Sequence, residues 1–202
     1  MTTPAILSLH YLPCIDWFMV FLNQETIIDI HEHYLKQSYR NRCVILSANG
    51  PLALTVPVKK KTQKQPMATL EIEYDFDWQK QHWESIRSAY NSSPYFLYYQ
   101  DYFEKMYSTK PKCLIEWNMK LIETVLQCIK VECTMHFSTQ YLKQENNDFR
   151  ERIHPKREHI FVHPLYMQVF AEKYPFHNNL SVLDLLFNKG PESREYLMEL
   201  TD

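Results

Sequence analysis

Glycine is nearly absent: Gly50 and Gly190 are the only two in 202 residues, and they stand alone. Loops that close backbone amides on phosphate, such as GxGxxG and GxxxxGK[ST], are therefore excluded. A bound nucleotide would have to be held by side chains or by a helix N-terminus. Excess positive charge is also missing. With a net charge of −2, the chain lacks the basic surplus that duplex binding draws on, so nucleic acid is not an expected partner. No window offers eighteen uninterrupted apolar residues, so no membrane span is expected. The first residues carry no basic n-region, and Asp16 interrupts the first apolar run, which points to a cytoplasmic protein. The five cysteines form no CxxC pair, since Cys128 and Cys133 are separated by four residues. They read as buried free thiols in a reducing compartment. No GxSxG nucleophile elbow exists.

Aromatic residues are abundant, with 14 Tyr, 11 Phe and 4 Trp. The length suits one domain, 1–202, with a core that needs neither metal nor disulfide. PAILSLHYLP (4–13) reads as a strand, IDWFMVFLN (15–23) as a buried helix and TIIDI (26–30) as a second strand, which makes a βαβ opening. Asn49–Gly50 between two β-like runs signals a hairpin. Lys59, Lys60, Lys61 and Lys64, with no acid among them, suggest a solvated loop. ATLEIEY (68–74) alternates like a strand. From about residue 78 the period becomes helical, over 78–90, 93–107 and 112–130. KVECTMHFS (130–138) reads as a strand, the charged segment 143–159 as a long loop, and LYMQVFAEKY (165–174) as a helix. In the last helix, Ser181 and Asp184 have capping-box spacing, and Gly190 suits its C-terminal end. The fold class is α/β or α+β: a small mixed sheet with a βαβ opening and a β-hairpin, and a helical C-terminal half.

The stretch HEHYLKQSYRNR (31–42) concentrates polar chemistry. On a strand, His31 and His33 would share a face with Asp29. A catalytic zinc needs three protein ligands, and His10 would have to complete the set if Asp29 does not, so no metal is assigned. Lys36, Arg40 and Arg42 share one parity, and Gln37, Tyr39 and Asn41 the other. Guanidinium and ammonium groups suit phosphate or carboxylate, the amides suit sugar hydroxyls, and Tyr suits a ring. A solvated strand end fits the same composition equally well. Arg150, Arg152, His154 and Lys156 alternate in a way that either caps an anion site or makes a solvated face. His82, beside Trp83 on a helix, reads from its surroundings as a packed histidine.

Several segments in order resemble the WbqC-like family: HYLPCIDWF (10–18), HEHYLKQSYRNR (31–42), NG followed by LTVPV (54–58), DWQKQHWESIRSAYNSSPYF (77–96), LIEWN (114–118) and SVLDLLFNKGPE (181–192). Two positions depart from the family's pattern, Cys14 where members often carry Trp and Asp16 where they often carry Gly. The resemblance implies a setting in surface-polysaccharide (O-antigen) biosynthesis, without a fixed reaction. It carries over His10, Tyr11, Lys36, Tyr39, Asn41, Arg42, His82, Tyr90 and Asn118. With His31, at the end of the second strand, these make the candidate set. His10, His31 and His82 are candidate general bases, because an imidazole titrates near neutrality. Tyr11, Lys36, Tyr39, Asn41, Arg42, Tyr90 and Asn118 are candidate substrate-binding residues. Two expectations follow: a transferase or accessory enzyme for a nucleotide-linked sugar or acyl donor, or a non-catalytic interaction module. The cofactor and oligomeric state are not specified by any of these residues.

Overall fold

The computed structural model describes residues 3–59, 62, 64–143 and 146–199. Of the expected Lys-rich loop, Lys60, Lys61 and Gln63 lie outside the described residues.

β1 (Ala5–Leu7) is buried throughout and pairs in parallel with β2 (Thr26–Ile28), in the register Ala5↔Thr26 to Leu7↔Ile28. Between them α1 (Ile15–Asn23) makes the crossover, with Ile15 to Phe21 all buried. Such a helix is apolar on every face because it is packed on every face. Two further pieces of chain flank this parallel pair through single bridges, Asp148 beside Ile6 and Phe137 beside Ile28. The expected strand at 130–138 is thus reduced to one bridge, held by Ile28 N–H to His136 O (2.8 Å) and Ser138 N–H to Ile28 O (3.0 Å).

β3 (Arg42–Ser47) and β4 (Gly50–Thr55) form the expected hairpin. Its turn is centred on Ala48–Asn49, one residue earlier than the Asn-Gly signal implies, and Gly50 (φ +99°) opens β4. β5 (Val58–Lys59) pairs with β6 (Glu71–Ile72). The alternating stretch 68–74 yields only this two-residue strand, because Met67–Thr69 winds into a 3-10 turn.

The helices follow. Asp77 caps α2 (Trp78–Tyr90), accepting from the Lys80 N–H. α3 (Phe96–Tyr107) buries Phe96, Phe103 and Tyr107, while Leu97, Tyr98 and Tyr102 stay exposed. α4 (Leu114–Cys128) packs Leu114, Trp117, Leu121, Ile122 and Val125 inward. Trp78 and Trp117 meet edge-to-face at 6.0 Å. α5 (Val182–Lys189) and α6 (Ser193–Met198) close the chain. Among the described residues, no helix is long and apolar enough to cross a membrane.

Between α4 and α5 the described residues form no helix and no strand. The helix expected at 165–174 is replaced by turns such as Ala171 N–H to Gln168 O. The reason is tertiary: Tyr166 and Gln168 both reach the buried Asp184 carboxylate, at 2.6 and 2.9 Å, and Gln168 Oε1 accepts from His177 N–H. Asp184 also accepts from Tyr90 Oη (3.0 Å). It therefore ties α2, α5 and the irregular segment together instead of completing the capping box, of which only the Ser181 half forms. Further along the same segment, Asp16 of α1 accepts from Ile160 N–H (2.8 Å), Asn179 Nδ2 (2.8 Å) and His163 Nε2 (2.9 Å). His163 Nδ1 accepts from Asn179 N–H. Nδ1 therefore carries no proton, and the ring is the neutral Nε2–H tautomer.

Two outcomes are expected. Gly190 holds φ +58°, and a Cβ there would lie 2.5 Å from Tyr95 Cδ1. Gly190→Ala should therefore cost about 2 kcal/mol or more, read as a lower urea midpoint at unchanged m. Burial raises the Asp184 pKa above its ordinary 3.8. Its contribution to stability is therefore full below that ordinary value and is lost as pH rises through the raised folded value. The stability difference between wild type and Asp184→Asn, followed by urea titration between about pH 4 and pH 8, should fall with rising pH and then level off.

Candidate functional site

The loop joining β2 to β3 is pinned by backbone contacts. Tyr11 N–H donates to Tyr39 O (2.9 Å), and Asn118 Nδ2 of α4 to Arg40 O (2.8 Å). Asn41 Nδ2 donates to Val56 O (2.7 Å), while Val56 N–H donates back to Asn41 O. Tyr11, Asn41 and Asn118 thus act here on the loop's backbone. Gln37 takes φ +59° and Ser38 bends the chain, with Ser38 Oγ donating to Leu35 O. The loop is therefore not extended, and the parity that set Lys36, Arg40 and Arg42 on one face does not apply. Lys36 is exposed at the turn, and Arg42 is half-buried on β3 with Nε on Thr55 Oγ1 (3.1 Å). Arg40 turns inward.

Arg40 is 3% exposed and grips Glu32 through Nε to Oε1 (2.8 Å) and Nη2 to Oε2 (2.5 Å). Burial raises the Glu32 pKa, with Arg40 opposing the shift. A second ion-pair group stands beside it: Arg150 Nη1 on Asp29 Oδ2 (2.5 Å) and Nη2 on Asp148 Oδ2 (2.6 Å). Asp29 also accepts from Ser138 Oγ, Leu142 N–H and His31 N–H. A cleft of about 490 Å³ opens over these two arginines, between the 31–42 loop and the 141–157 segment. Arg152 and Arg157 line it as well, together with His33 and Tyr141, whose rings stack at 5.9 Å.

His10 does not line this cleft, but it is near enough to Arg40 for the guanidinium charge to act on it. Its ring is 5.6 Å from Tyr39, it is 1% exposed, and neither ring nitrogen has a hydrogen-bond partner. Burial lowers its pKa well below the usual value, and the positive charge of Arg40 and the nearby His154 add to the effect. His10 is accordingly a neutral imidazole. Arg40 Nη1 is likewise buried without a partner. Buried polar groups are rarely left unpaired, so the two His10 nitrogens and Arg40 Nη1 have hydrogen-bonding capacity that the protein itself does not use.

The remaining candidates sit elsewhere. His82 belongs to a buried chain in which Tyr11 Oη lies 2.9 Å from His82 Nδ1 and 2.5 Å from Tyr107 Oη. Burial lowers its pKa to about 4. Tyr90 is spent on Asp184, on the far side of α2. His31 and His33 are not on a strand, and Asp29, their proposed companion, is committed to Arg150. Among the described residues no three His, Cys, Asp or Glu side chains group as metal ligands. From sequence neither Glu32 nor Asp148 is a candidate site residue, and Asp29 enters only as a companion of His31 and His33, not as a partner of Arg150. The one available signal was the alternation that includes Arg150, whose partners lie more than a hundred residues away or two residues back.

Residues 9–161 match the WbqC-like protein family. Uncharacterized protein Rv1507c of Mycobacterium tuberculosis (strain ATCC 25618 / H37Rv) is 23% identical over 222 residues, an overlap covering 96% of this chain and 96% of that protein. No solved structure matches the chain.

Removing Arg40 would strand the Glu32 carboxylate in the interior. Arg40→Ala should therefore cost about 3–5 kcal/mol. Arg40→Ala with Glu32→Gln should recover part of that loss, measured as urea midpoints of the two variants.

Proposed function

Since this chain belongs to the WbqC-like protein family, we propose that its cleft binds an anionic small molecule, and that the protein is a transferase or accessory enzyme acting on a nucleotide-linked sugar or acyl donor in surface-polysaccharide (O-antigen) biosynthesis. The observation that carries this reading is His10, a buried neutral imidazole with two unpartnered nitrogens, on which the charge of the cleft's Arg40 acts. An unprotonated imidazole takes a proton from an attacking hydroxyl or amine as the new bond forms, while the bond to the donor's thiolate or nucleotide diphosphate breaks and that group leaves with the electron pair. The Arg40 guanidinium favours the negative charge that develops on an acyl or phosphoryl oxygen during that exchange. Tyr39 supports the base by packing against its ring. Asn41 and Asn118 support it by fixing the loop that carries Arg40. Lys36 and Arg42 add positive charge along the same loop.

A second reading rests on α3. Leu97, Tyr98 and Tyr102 are exposed on one helix, which suits a non-catalytic module that docks a partner protein.

Thermal denaturation with UDP-sugars and with short acyl-CoA thioesters tests the first reading. One class should raise the melting temperature. His10→Asn should keep that shift while transfer from the bound donor falls by about 10²–10⁴-fold. No shift with either class, together with a stable protein complex lost on Tyr98→Ser, would favour the second reading.

A further inference from the structure

Four arginines line one cleft, and they are not equivalent. Arg40 is neutralised by Glu32, and Arg150 by Asp29 and Asp148. These pairs are buried and fixed, so they form a floor. Arg152 and Arg157 are different: both are exposed, both line the cleft, and neither lies within ion-pair distance of an acid among the described residues. Arg152 is nonetheless positioned, because its guanidinium rests on the Phe149 ring at 4.5 Å. A cation laid on a ring face keeps its in-plane N–H donors free at the edge. Arg157 is placed by its backbone, whose N–H donates to His154 O (2.9 Å).

The frame holding both is fastened at each end. On one side Arg150 locks residue 148 to residue 29, and on the other Asp16 captures Ile160 N–H. Both unpaired guanidinium groups thus belong to one short, anchored stretch and line the same cleft, where a bound anion would meet positive charge not already taken by a carboxylate. Of the acids lining the same wall, Asp148 is spent on Arg150, whereas Glu151 is exposed and has no cation within ion-pair distance among the described residues.

The geometry points to Arg152 and Arg157 as a two-guanidinium clamp for a phosphate group, with the phosphorylated end of the ligand placed on the 148–157 segment and not on Lys36 and Arg42. This deepens the cleft reading above and rests on it. The ligand class it selects is a phosphomonoester or diphosphate, because planar N–H pairs match phosphate oxygens two at a time. Glu151 then tunes the clamp, by opposing a second negative charge close to it.

Isothermal titration of the full chain with inorganic pyrophosphate tests the clamp. The wild type should bind, and Arg152→Gln and Arg157→Gln should each weaken binding by about tenfold or more. The double variant should bind no pyrophosphate, and Glu151→Gln should bind it more tightly. All three positions are exposed, so circular dichroism and melting temperature should stay at wild-type values. Unchanged affinity in the double variant would overturn the clamp, even if UDP-sugars still bind the cleft. Pyrophosphate binding that vanishes in the double variant but persists in His10→Asn would uphold the clamp, even if no transfer activity is found. Failure of the wild type to bind pyrophosphate would overturn it outright.

Discussion

Buried carboxylates hold this fold together where regular secondary structure does not. Asp16, Asp29 and Asp184 each sit on or beside a regular element, at no more than 1% exposure. Each collects several donors from the irregular chain between α4 and α5. An ionised carboxylate has about four acceptor positions, enough to satisfy two or three backbone or side-chain donors at once. Backbone without a helix or sheet ladder must find partners somewhere; Asp29 takes the Leu142 amide and Asp16 those of Ile160 and Phe161, while Asp184 holds the segment through its side chains. The arrangement is demanding as well as stabilising, since a buried carboxylate stripped of its donors is costly.

The cleft is a by-product of that arrangement. Arg150 is both a donor to Asp29 and part of the cleft floor. Arg40 is placed by a backbone hydrogen bond from Asn118 and by its grip on Glu32. Two guanidinium groups are thereby held at fixed positions, each beside its own carboxylate. His10 belongs to the same neighbourhood: burial keeps its imidazole unprotonated, and the charge of Arg40 adds to the effect.

Elements whose signals are local were legible in the sequence. The βαβ opening, the hairpin and the helices from Trp78 to Cys128 follow from period and turn residues, and the resemblance to the WbqC-like family rests on motifs that the family match now covers. Elements decided by distant partners were not legible. Residues 165–174 carry helical spacing, yet Tyr166 and Gln168 are drawn to Asp184. The parity reading of 31–42 failed because Gln37 adopts a left-handed conformation in mid-segment. The polar motif residues were visible as a set, but nothing in their spacing told that Asn41 and Asn118 bind backbone, or that His82 is enclosed between tyrosine and strand. Glu32 gives no signal of its own, because by parity its partner Arg40 groups with Lys36 and Arg42 instead of with an acid eight residues back.

Asp16 carries one more implication. Its carboxylate receives the Ile160 and Phe161 amides, the His163 ring and the Asn179 amide, all 144 residues or more further along the chain. Contacts of that span close a loop containing most of the molecule. The segment around residue 160 can therefore settle on α1 only late in synthesis or refolding, after nearly the whole chain is present.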